Sequence, residues 1–274
     1  MSELEVNQVY CMEALELLAR LPDNSVDLVL TDPPYGHNNN NGDLIHRREF
    51  ALGQLPSGVS NPRPIPNDGI EANDLFKACL VEYKRILKPG SCCCCCCGGG
   101  GGPDPQFARW SLWMDECLEF KQMVVWDKGP MGMGWHYRRS YETVLVGIKR
   151  GAACKWYDET KAIENIIRPG MLSVNKIIPM AENHPTEKPI DLMEFFIRLH
   201  TKPGDIVLDP FAGSGTTAVA ARNLGRRFIA ADMMPEYVAM ANDRLKTEFG
   251  SRKQKAGEAL DDLPLFRAAG EGES

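Results

Sequence analysis

Val26-Asp27-Leu28-Val29-Leu30-Thr31-Asp32-Pro33-Pro34-Tyr35 is the stretch that decides the fold. An apolar run broken by two prolines is typical of a buried strand that ends abruptly in a turn. Asp32 is therefore predicted at the carboxyl end of a strand, where open α/β sheets bind their ligands. The prolines lack N–H groups and fix the backbone, so the carbonyls of Asp32 and Pro33 are rigid acceptors. Together with the Tyr35 ring they suit a flat base that carries an amino group. The alternative is a turn in which Asp32 caps a helix and Tyr35 only packs.

A second stretch combines a strand with a glycine turn, Asp205-Ile206-Val207-Leu208-Asp209-Pro210-Phe211-Ala212-Gly213-Ser214-Gly215-Thr216-Thr217. Its glycines allow the backbone to approach a ligand closely. A phosphate-binding P-loop would need a lysine before the Ser/Thr, and a dinucleotide site would need G-x-G-x-x-G; neither pattern is present. The next strand, predicted over 227–232, ends in Asp232. An acid about 20 residues after a glycine turn is the usual partner of ribose hydroxyls.

Together the two stretches resemble the DNA amino-methyltransferases. These enzymes use S-adenosylmethionine and carry D-P-P-Y as their catalytic motif and D-P-F-x-G-x-G-T-T as their cofactor motif. The order found here, catalytic motif first, resembles the permuted β class. The resemblance implies an α/β, Rossmann-like methyltransferase fold, with a mostly parallel doubly wound sheet and a C-terminal antiparallel element. It implies a catalytic role for Asp32, Pro33, Pro34 and Tyr35, and cofactor binding by Asp209, Pro210, Phe211, Gly213, Ser214, Gly215, Thr216 and Asp232.

Two more cofactor contacts follow from the resemblance. His184-Pro185-Thr186-Glu187-Lys188-Pro189 is similar to the family's H-P-T-x-K-P, which holds the methionine end of the cofactor. Lys188 and the start of the following helix both favour a carboxylate. Glu13 occupies the place of the family's acidic residue near the adenine, although the family usually shows Gly-Asp where this chain has Met12-Glu13. The alternative for Glu13 is an exposed acid at a helix start.

The charge distribution favours transient contact with DNA. The formal net charge of −6 over 274 residues argues against a protein that coats nucleic acid. The stretch from Lys121 to Lys176, however, contains ten basic and five acidic residues, which gives it a formal net charge of +5. A basic patch on an acidic protein suits site-directed binding; a solvated surface is the alternative for each single charge. The expected DNA contacts are Arg47, Arg48, His136, Arg138 and Arg139, the last three interleaved with aromatic residues.

The cysteines predict a strand and no metal site. Six of the ten are consecutive, Cys92 to Cys97, and five glycines follow. Buried cysteine behaves as a small hydrophobe, so the run predicts the sheet strand that the fold needs here; a repeat expansion is the alternative. Elsewhere the chain has no C-x-x-C pair with metal-ligand spacing.

The expected organisation is one domain interrupted by variable segments. Residues 1–150 form the catalytic half, in which a loop at about 36–70 either closes over DNA or is a floppy insertion. Residues 151–180 are a short target-recognition segment, and residues 181–247 form the cofactor half. Residues 248–274 are a flexible tail, in which Leu263–Phe266 resembles a sliding-clamp docking peptide or folds back on the domain.

The predicted function is site-specific methylation of adenine N6 in duplex DNA after base flipping. Methylation of cytosine N4 is the first alternative; in the family that activity more often carries Ser in place of Asp32. RNA or protein-amide acceptors and an inactive DNA-binding relic are the others. No apolar run reaches membrane-spanning length and no signal peptide is apparent. We expect a cytoplasmic, bacterial or phage-encoded monomer or homodimer.

Overall fold

The computed structural model describes residues 4–36, 65–97, 106–129, 140–168 and 187–252. Within these ranges the chain alternates strands and helices. The strands are β1 (Gln8–Cys11), β2 (Val26–Thr31), β3 (Leu87–Cys97), β4 (Glu119–Asp127), β5 (Tyr141–Ile148), β6 (Ile166–Ile167), β7 (Ile206–Asp209) and β8 (Arg227–Asp232). The helices are α1 (Ala14–Ala19), α2 (Glu71–Ile86), α3 (Gln106–Cys117), α4 (Ile190–His200), α5 (Thr216–Asn223) and α6 (Pro235–Arg252).

The described strands form one sheet in the order β1-β8-β7-β2-β3-β5-β4-β6. Every neighbouring pair is parallel except the two pairs that involve β5. The predicted fold class is thus confirmed. The antiparallel strand ends the catalytic half rather than the chain, because the permuted order places the cofactor half after it.

The six-cysteine run forms the centre of β3, as predicted. Its side chains alternate between the two faces of the sheet because successive residues of a strand point in opposite directions. Cys92, Cys94 and Cys96 join the core under α4 and α5, whereas Cys93, Cys95 and Cys97 join the core under α1, α2 and α3. All six are at most 1% exposed. Helices on both faces make the sheet doubly wound.

The strand order gathers residues from distant parts of the chain at one edge. The strands β1, β8, β7 and β2 are consecutive and parallel, so their carboxyl ends lie side by side. Glu13, Asp232, Asp209 and Asp32 stand at or just beyond those four ends. Four acidic residues separated by up to 219 positions therefore share one rim of the sheet, at the point where α/β sheets bind ligands.

Some predicted boundaries change. Within the segment predicted for target recognition, residues 166–167 form β6 beside β4. Helix α6 extends to Arg252, past the predicted start of the tail. Among the described basic residues of the 121–176 patch, Lys128 pairs with Glu142 and Lys155 pairs with buried Asp27, so the patch offers fewer unengaged charges than its sequence suggests. None of the described helices is long and apolar enough to span a membrane.

Gly215, in the turn after β7, lies at the closest approach between that turn and α6. Its φ is +83°, and a Cβ placed there would lie 2.7 Å from the Cβ of Ala241. We expect Gly215→Ala to lower the free energy of unfolding by roughly 2–4 kcal/mol, since strain and overpacking add. Gly204→Ala is the matched control: its φ is +87° but no atom lies within 4 Å of the added Cβ. Denaturant unfolding of both variants measures the packing contribution as the difference between their free energies of unfolding. Equal losses of stability in the two variants would contradict a packing contribution at Gly215.

Candidate active site

The carboxylate of Asp32 is the centre of the site. It follows the last residue of β2 and is 25% exposed. The hydroxyl of Tyr35 donates to its Oδ1, and Nζ of Lys188 lies 2.5 Å from its Oδ2. Residues 156 positions apart are therefore in direct contact. The structure brings the D-P-P-Y turn and Lys188 of the H-P-T-x-K-P motif together at one carboxylate.

Lys188 is the buried cation of the site, with only 8% of its side chain exposed. Its Nζ also lies 3.4 Å from Oε2 of Glu142, the second residue of β5. Burial lowers the pKa of Lys188, but Asp32 and Glu142 more than offset this and hold it well above its ordinary value. Burial raises the pKa of Glu142, whereas Lys188 and Lys128 outweigh that and lower it to about 2. The contact of Lys188 with a cofactor carboxylate stays a prediction; in the structure its two partners are carboxylates of the chain itself.

Asp68 fixes the backbone of the catalytic turn. This buried carboxylate accepts from the amides of Tyr35 (2.9 Å) and Gly36 (2.8 Å) through the same Oδ1 atom. Gly36 has a φ of +74°, a conformation that suits glycine. Sequence reasoning missed Asp68 because it stands 33 positions after Tyr35, at the end of a long polar segment.

The Tyr35 ring is packed as well as hydrogen-bonded. It meets Trp110 edge-on at 6.4 Å between centroids, and Trp110 stacks on Phe76 at 4.0 Å. Burial, followed by the charges of Asp32 and Glu142, raises the pKa of the Tyr35 hydroxyl well above 10.0, so it remains a hydrogen-bond donor. Tyr35 therefore both packs in the core, as the alternative interpretation expected, and contacts Asp32, as the catalytic interpretation expected.

Asp209 faces inward at the end of β7. Its Oδ1 accepts from the Thr31 hydroxyl (2.8 Å) and from the amide of Phe211 (3.1 Å), and it is 4% exposed. It therefore ties the glycine turn to the residue directly before Asp32. In the structure Thr31 and the turn use this carboxylate, and the predicted part of Asp209 in cofactor binding stays a prediction.

Asp209 also gives the protein a pH-dependent stability. Burial raises its pKa from 3.8 to about 6, although Thr217 and Thr31 oppose the shift. A raised carboxyl pKa stabilises the fold fully below about pH 4, and this contribution is lost as the pH rises through about 6. We expect Asp209→Asn to unfold less readily than the parent at pH 8, by at most roughly 3 kcal/mol, with the difference vanishing near pH 4. Urea unfolding at both pH values measures this; a variant that is weaker at pH 8 would contradict it.

Asp232 orders the other side of the glycine turn. Its Oδ2 accepts from the amide of Gly213 at 2.9 Å, and its Oδ1 accepts from the amide of Met234 at 2.9 Å. The carboxylate remains half-buried, and burial raises its pKa above the ordinary value. Glu13 is exposed on the neighbouring strand end, directly before α1. Met233, which follows Asp232 in the chain and is 38% exposed, adds an apolar surface at this strand end and was not predicted.

Arg244 of α6 connects the glycine turn to the segment that carries Lys188. Its Nη1 donates to the carbonyl (3.0 Å) and hydroxyl (2.8 Å) of Ser214, and also contacts the hydroxyl of Thr216 at 3.2 Å. Its Nη2 lies 2.9 Å from Oε1 of Glu187. Ser214 and Thr216 therefore have a structural partner in the chain. The remaining predicted turn residues, Pro210 and Phe211, lie beside them, Pro210 buried and Phe211 half-buried.

The site combines features that fit an adenosine-bearing cofactor. Exposed Glu13 and half-buried Asp232 offer carboxylates to hydroxyl or amino groups, while Met233 and Phe211 offer apolar surface. The predicted DNA contacts Arg47, Arg48, His136, Arg138 and Arg139 lie outside the described residues, as do Leu263–Phe266 and most of the predicted 36–70 loop.

Comparison with curated proteins finds bacterial DNA methyltransferases. The chain is 27% identical over 252 residues to the type II methyltransferase M2.DpnII of Streptococcus pneumoniae, covering 86% of this chain and 88% of the relative. It is 28% identical over 260 residues to the DNA adenine methyltransferase YhdJ of Escherichia coli, covering 85% of this chain and 80% of the relative.

Comparison with solved structures also finds DNA methyltransferases. The complex of M1.HpyAVI with SAM is 28% identical, with a TM-score of 0.60 over 87% of this chain and 98% of that one. The cytosine-N4-specific PvuII DNA methyltransferase shares the fold at 22% identity, with a TM-score of 0.63 over 86% of this chain and 85% of that one. The model of the N6/N4 DNA methylase family matches residues 26–243, from the start of β2 into α6. Because this match spans most of the chain and both motif-bearing strands, the protein belongs to the DNA methylase family.

Proposed function

We propose that this DNA methyltransferase acts on the N6 atom of adenine in duplex DNA, at a specific site and after base flipping. The observation that carries the proposal is the carboxylate of Asp32. It stands partly exposed at the carboxyl end of β2 and is followed by the rigid Pro33-Pro34 backbone. The glycine turn of β7 lies on the neighbouring strand.

The methyl donor is S-adenosylmethionine, as the sequence predicted. Glu13 and Asp232 are the residues proposed to hold its adenosine, with Met233 and Phe211 against the ring and Gly213 and Gly215 shaping the turn. When bound, this group supplies a methyl attached to a positively charged sulfur. The chain's own task is to align the base amine with that methyl.

Asp32 and the carbonyl of Pro33 accept the two hydrogens of the amine in the proposed mechanism. The lone pair of the amine is delocalised into the ring, so fixed acceptors that draw the nitrogen towards tetrahedral geometry make it a better nucleophile. The amine nitrogen would receive the methyl carbon that the sulfonium group of S-adenosylmethionine supplies, and its surplus proton would pass to Asp32 or to water. The Tyr35 ring supports the flipped base.

Lys188 and Tyr35 leave room for this step because each carboxylate oxygen has two acceptor positions. Asp32 can therefore accept a base hydrogen while keeping both present partners. Lys188 and Tyr35 fix the orientation of the carboxylate, and Glu142 is the second partner of Lys188. We assign these three residues a positioning role.

Adenine is favoured over cytosine because the motif begins with Asp rather than Ser, and because YhdJ, a relative across most of both chains, is an adenine methyltransferase. Cytosine N4 remains the second candidate, since the same fold carries that activity in the PvuII enzyme. Both bases present an exocyclic amine, so the mechanism is the same for either.

The product of the reaction tests the proposal. Incubation with labelled S-adenosylmethionine and mixed-sequence duplex DNA, followed by nucleoside digestion and mass analysis, should yield N6-methyladenine. N4-methylcytosine would be consistent with the mechanism but would show that the target base is cytosine rather than adenine. Cofactor binding without label on DNA or RNA would indicate the inactive relic.

A further inference from the structure

Three soft or borderline metal ligands meet on the face of the sheet under α4. They are the thiols of Cys92 on β3 and Cys154 in the loop after β5, and the imidazole of His200 at the last position of α4. One ligand atom from each lies within 4.8 Å of the other two. The residues are 62 and 46 positions apart, so no local spacing motif reveals them.

The geometry matches a tetrahedral metal site. The two sulfurs are 3.7 Å apart. Two thiolates bound to zinc at about 2.3 Å in a tetrahedron lie about 3.8 Å from each other. Nδ1 of His200 lies 3.2 Å from the carbonyl of Lys155, and its ring packs edge-on against Trp156 at 5.4 Å, so the ring is held in one orientation. A backbone carbonyl that orients a histidine is a frequent feature of metal sites.

A disulfide fits these positions less well. It requires the sulfurs to approach to about 2.05 Å. Cys92 is held in the sheet on both sides, by Leu28 of β2 and by Ile148 of β5. The neighbour of Cys154 is also fixed, since the Lys155 amide donates to the carbonyl of Gly90 at 2.9 Å. A bridging ion satisfies the observed separation without movement and explains the buried imidazole, which a disulfide does not use.

We propose that Cys92, Cys154 and His200 bind one soft divalent cation, zinc by preference, with a water molecule as fourth ligand. Cys92 and His200 are at most 3% exposed, whereas Cys154 is only partly buried. Cys92 pairs with Leu28, four residues before Asp32, so the ion binds away from the catalytic edge. It joins β3, α4 and the first residues of the segment predicted to recognise DNA, and its role is structural.

Cobalt(II) alone is the probe. The full chain, reduced and stripped with a chelator, should bind one equivalent with a thiolate-to-cobalt charge-transfer band that zinc abolishes. Cys154→Ser should lower the affinity by at least about 100-fold, because it removes a ligand from a three-residue site. Cys117→Ser, which alters a partly buried thiol at the end of α3, should leave the band and the affinity unchanged.

Thermal unfolding gives a second readout, because a ligand that binds only the folded chain stabilises it. Zinc should raise the Tm of the parent chain and of Cys117→Ser, but not that of Cys154→Ser. Absence of the band in the parent, or a band that survives in Cys154→Ser, would overturn the proposal. So would a Cys92–Cys154 disulfide in protein purified without reductant, if that protein after reduction binds no cobalt.

Discussion

Asp32→Asn should reduce methyl transfer by at least about a thousandfold, because it removes the charge and one acceptor at the reacting amine. The amide keeps the shape of the side chain, but its NH₂ group faces the base amine or Lys188 as a second donor. Binding of S-adenosylmethionine should change by no more than a few-fold, since the proposed cofactor residues lie on other strands. Single-turnover transfer of labelled methyl measures the first effect and equilibrium dialysis measures the second.

Asp74→Asn is the matched control for this substitution. Asp74 is an exposed carboxylate on α2, so the same chemical change there should leave transfer and cofactor binding as in the parent. Near-normal turnover by Asp32→Asn, with a folded chain, would show that the amine is activated in another way.

Lys188→Met should strongly lower the free energy of unfolding. It leaves Asp32 and Glu142 close together without their shared cation, and both carboxylates have most of their side chain out of water. Breaking a buried ion pair by removing one partner costs roughly 3–5 kcal/mol, and the partial exposure of these carboxylates places the expected loss at the lower end. Denaturant unfolding at pH 7 measures it. Transfer should also fall, because Asp32 loses the contact that orients it.

Lys128→Met is the control, because it removes the same charge from a partner of Glu142 that is more exposed to solvent than Lys188. Lys128 pairs with Glu142 at 2.7 Å, but 40% of its side chain is exposed, so its removal should cost less than about 1 kcal/mol. The double variant Lys188→Met/Glu142→Gln should recover part of the stability, because it removes one of the two negative charges that Lys188 contacts. If Lys188→Met and Lys128→Met were equally stable, the contacts of Lys188 with Asp32 and Glu142 would not be the source of the lost stability.

The local parts of the site were predictable from sequence. The apolar run of β2 ends where its prolines begin, and the strand of β8 ends in Asp232, so strand pattern and turn chemistry together placed each acid at the carboxyl end of its own strand. The cysteine run was predicted as a strand because small buried side chains satisfy both faces of a sheet equally well, and its alternation in the core bears this out.

The contacts that hold the site together were not predictable in the same way. Asp68, Glu142 and Arg244 are ordinary charged residues in the sequence, and each acts through a partner that folding brings near from 30 to 46 positions away. Gly215 was predicted to admit a ligand, whereas its missing Cβ first of all makes room for Ala241. Local pattern does not encode which helix crosses a turn.

The central pairing of the sheet has a consequence for how the chain folds during synthesis. Strand β2 lies between β3 and β7, and its residue Val29 pairs with Leu208, far along the chain. During synthesis, the edge of β2 that pairs with β7 therefore stays unpaired, and its apolar faces stay exposed, until the last quarter of the chain has emerged from the ribosome. Such late closure slows folding and exposes strand edges to aggregation. We expect nascent chains that stop before β7 to depend on chaperones that shield this edge.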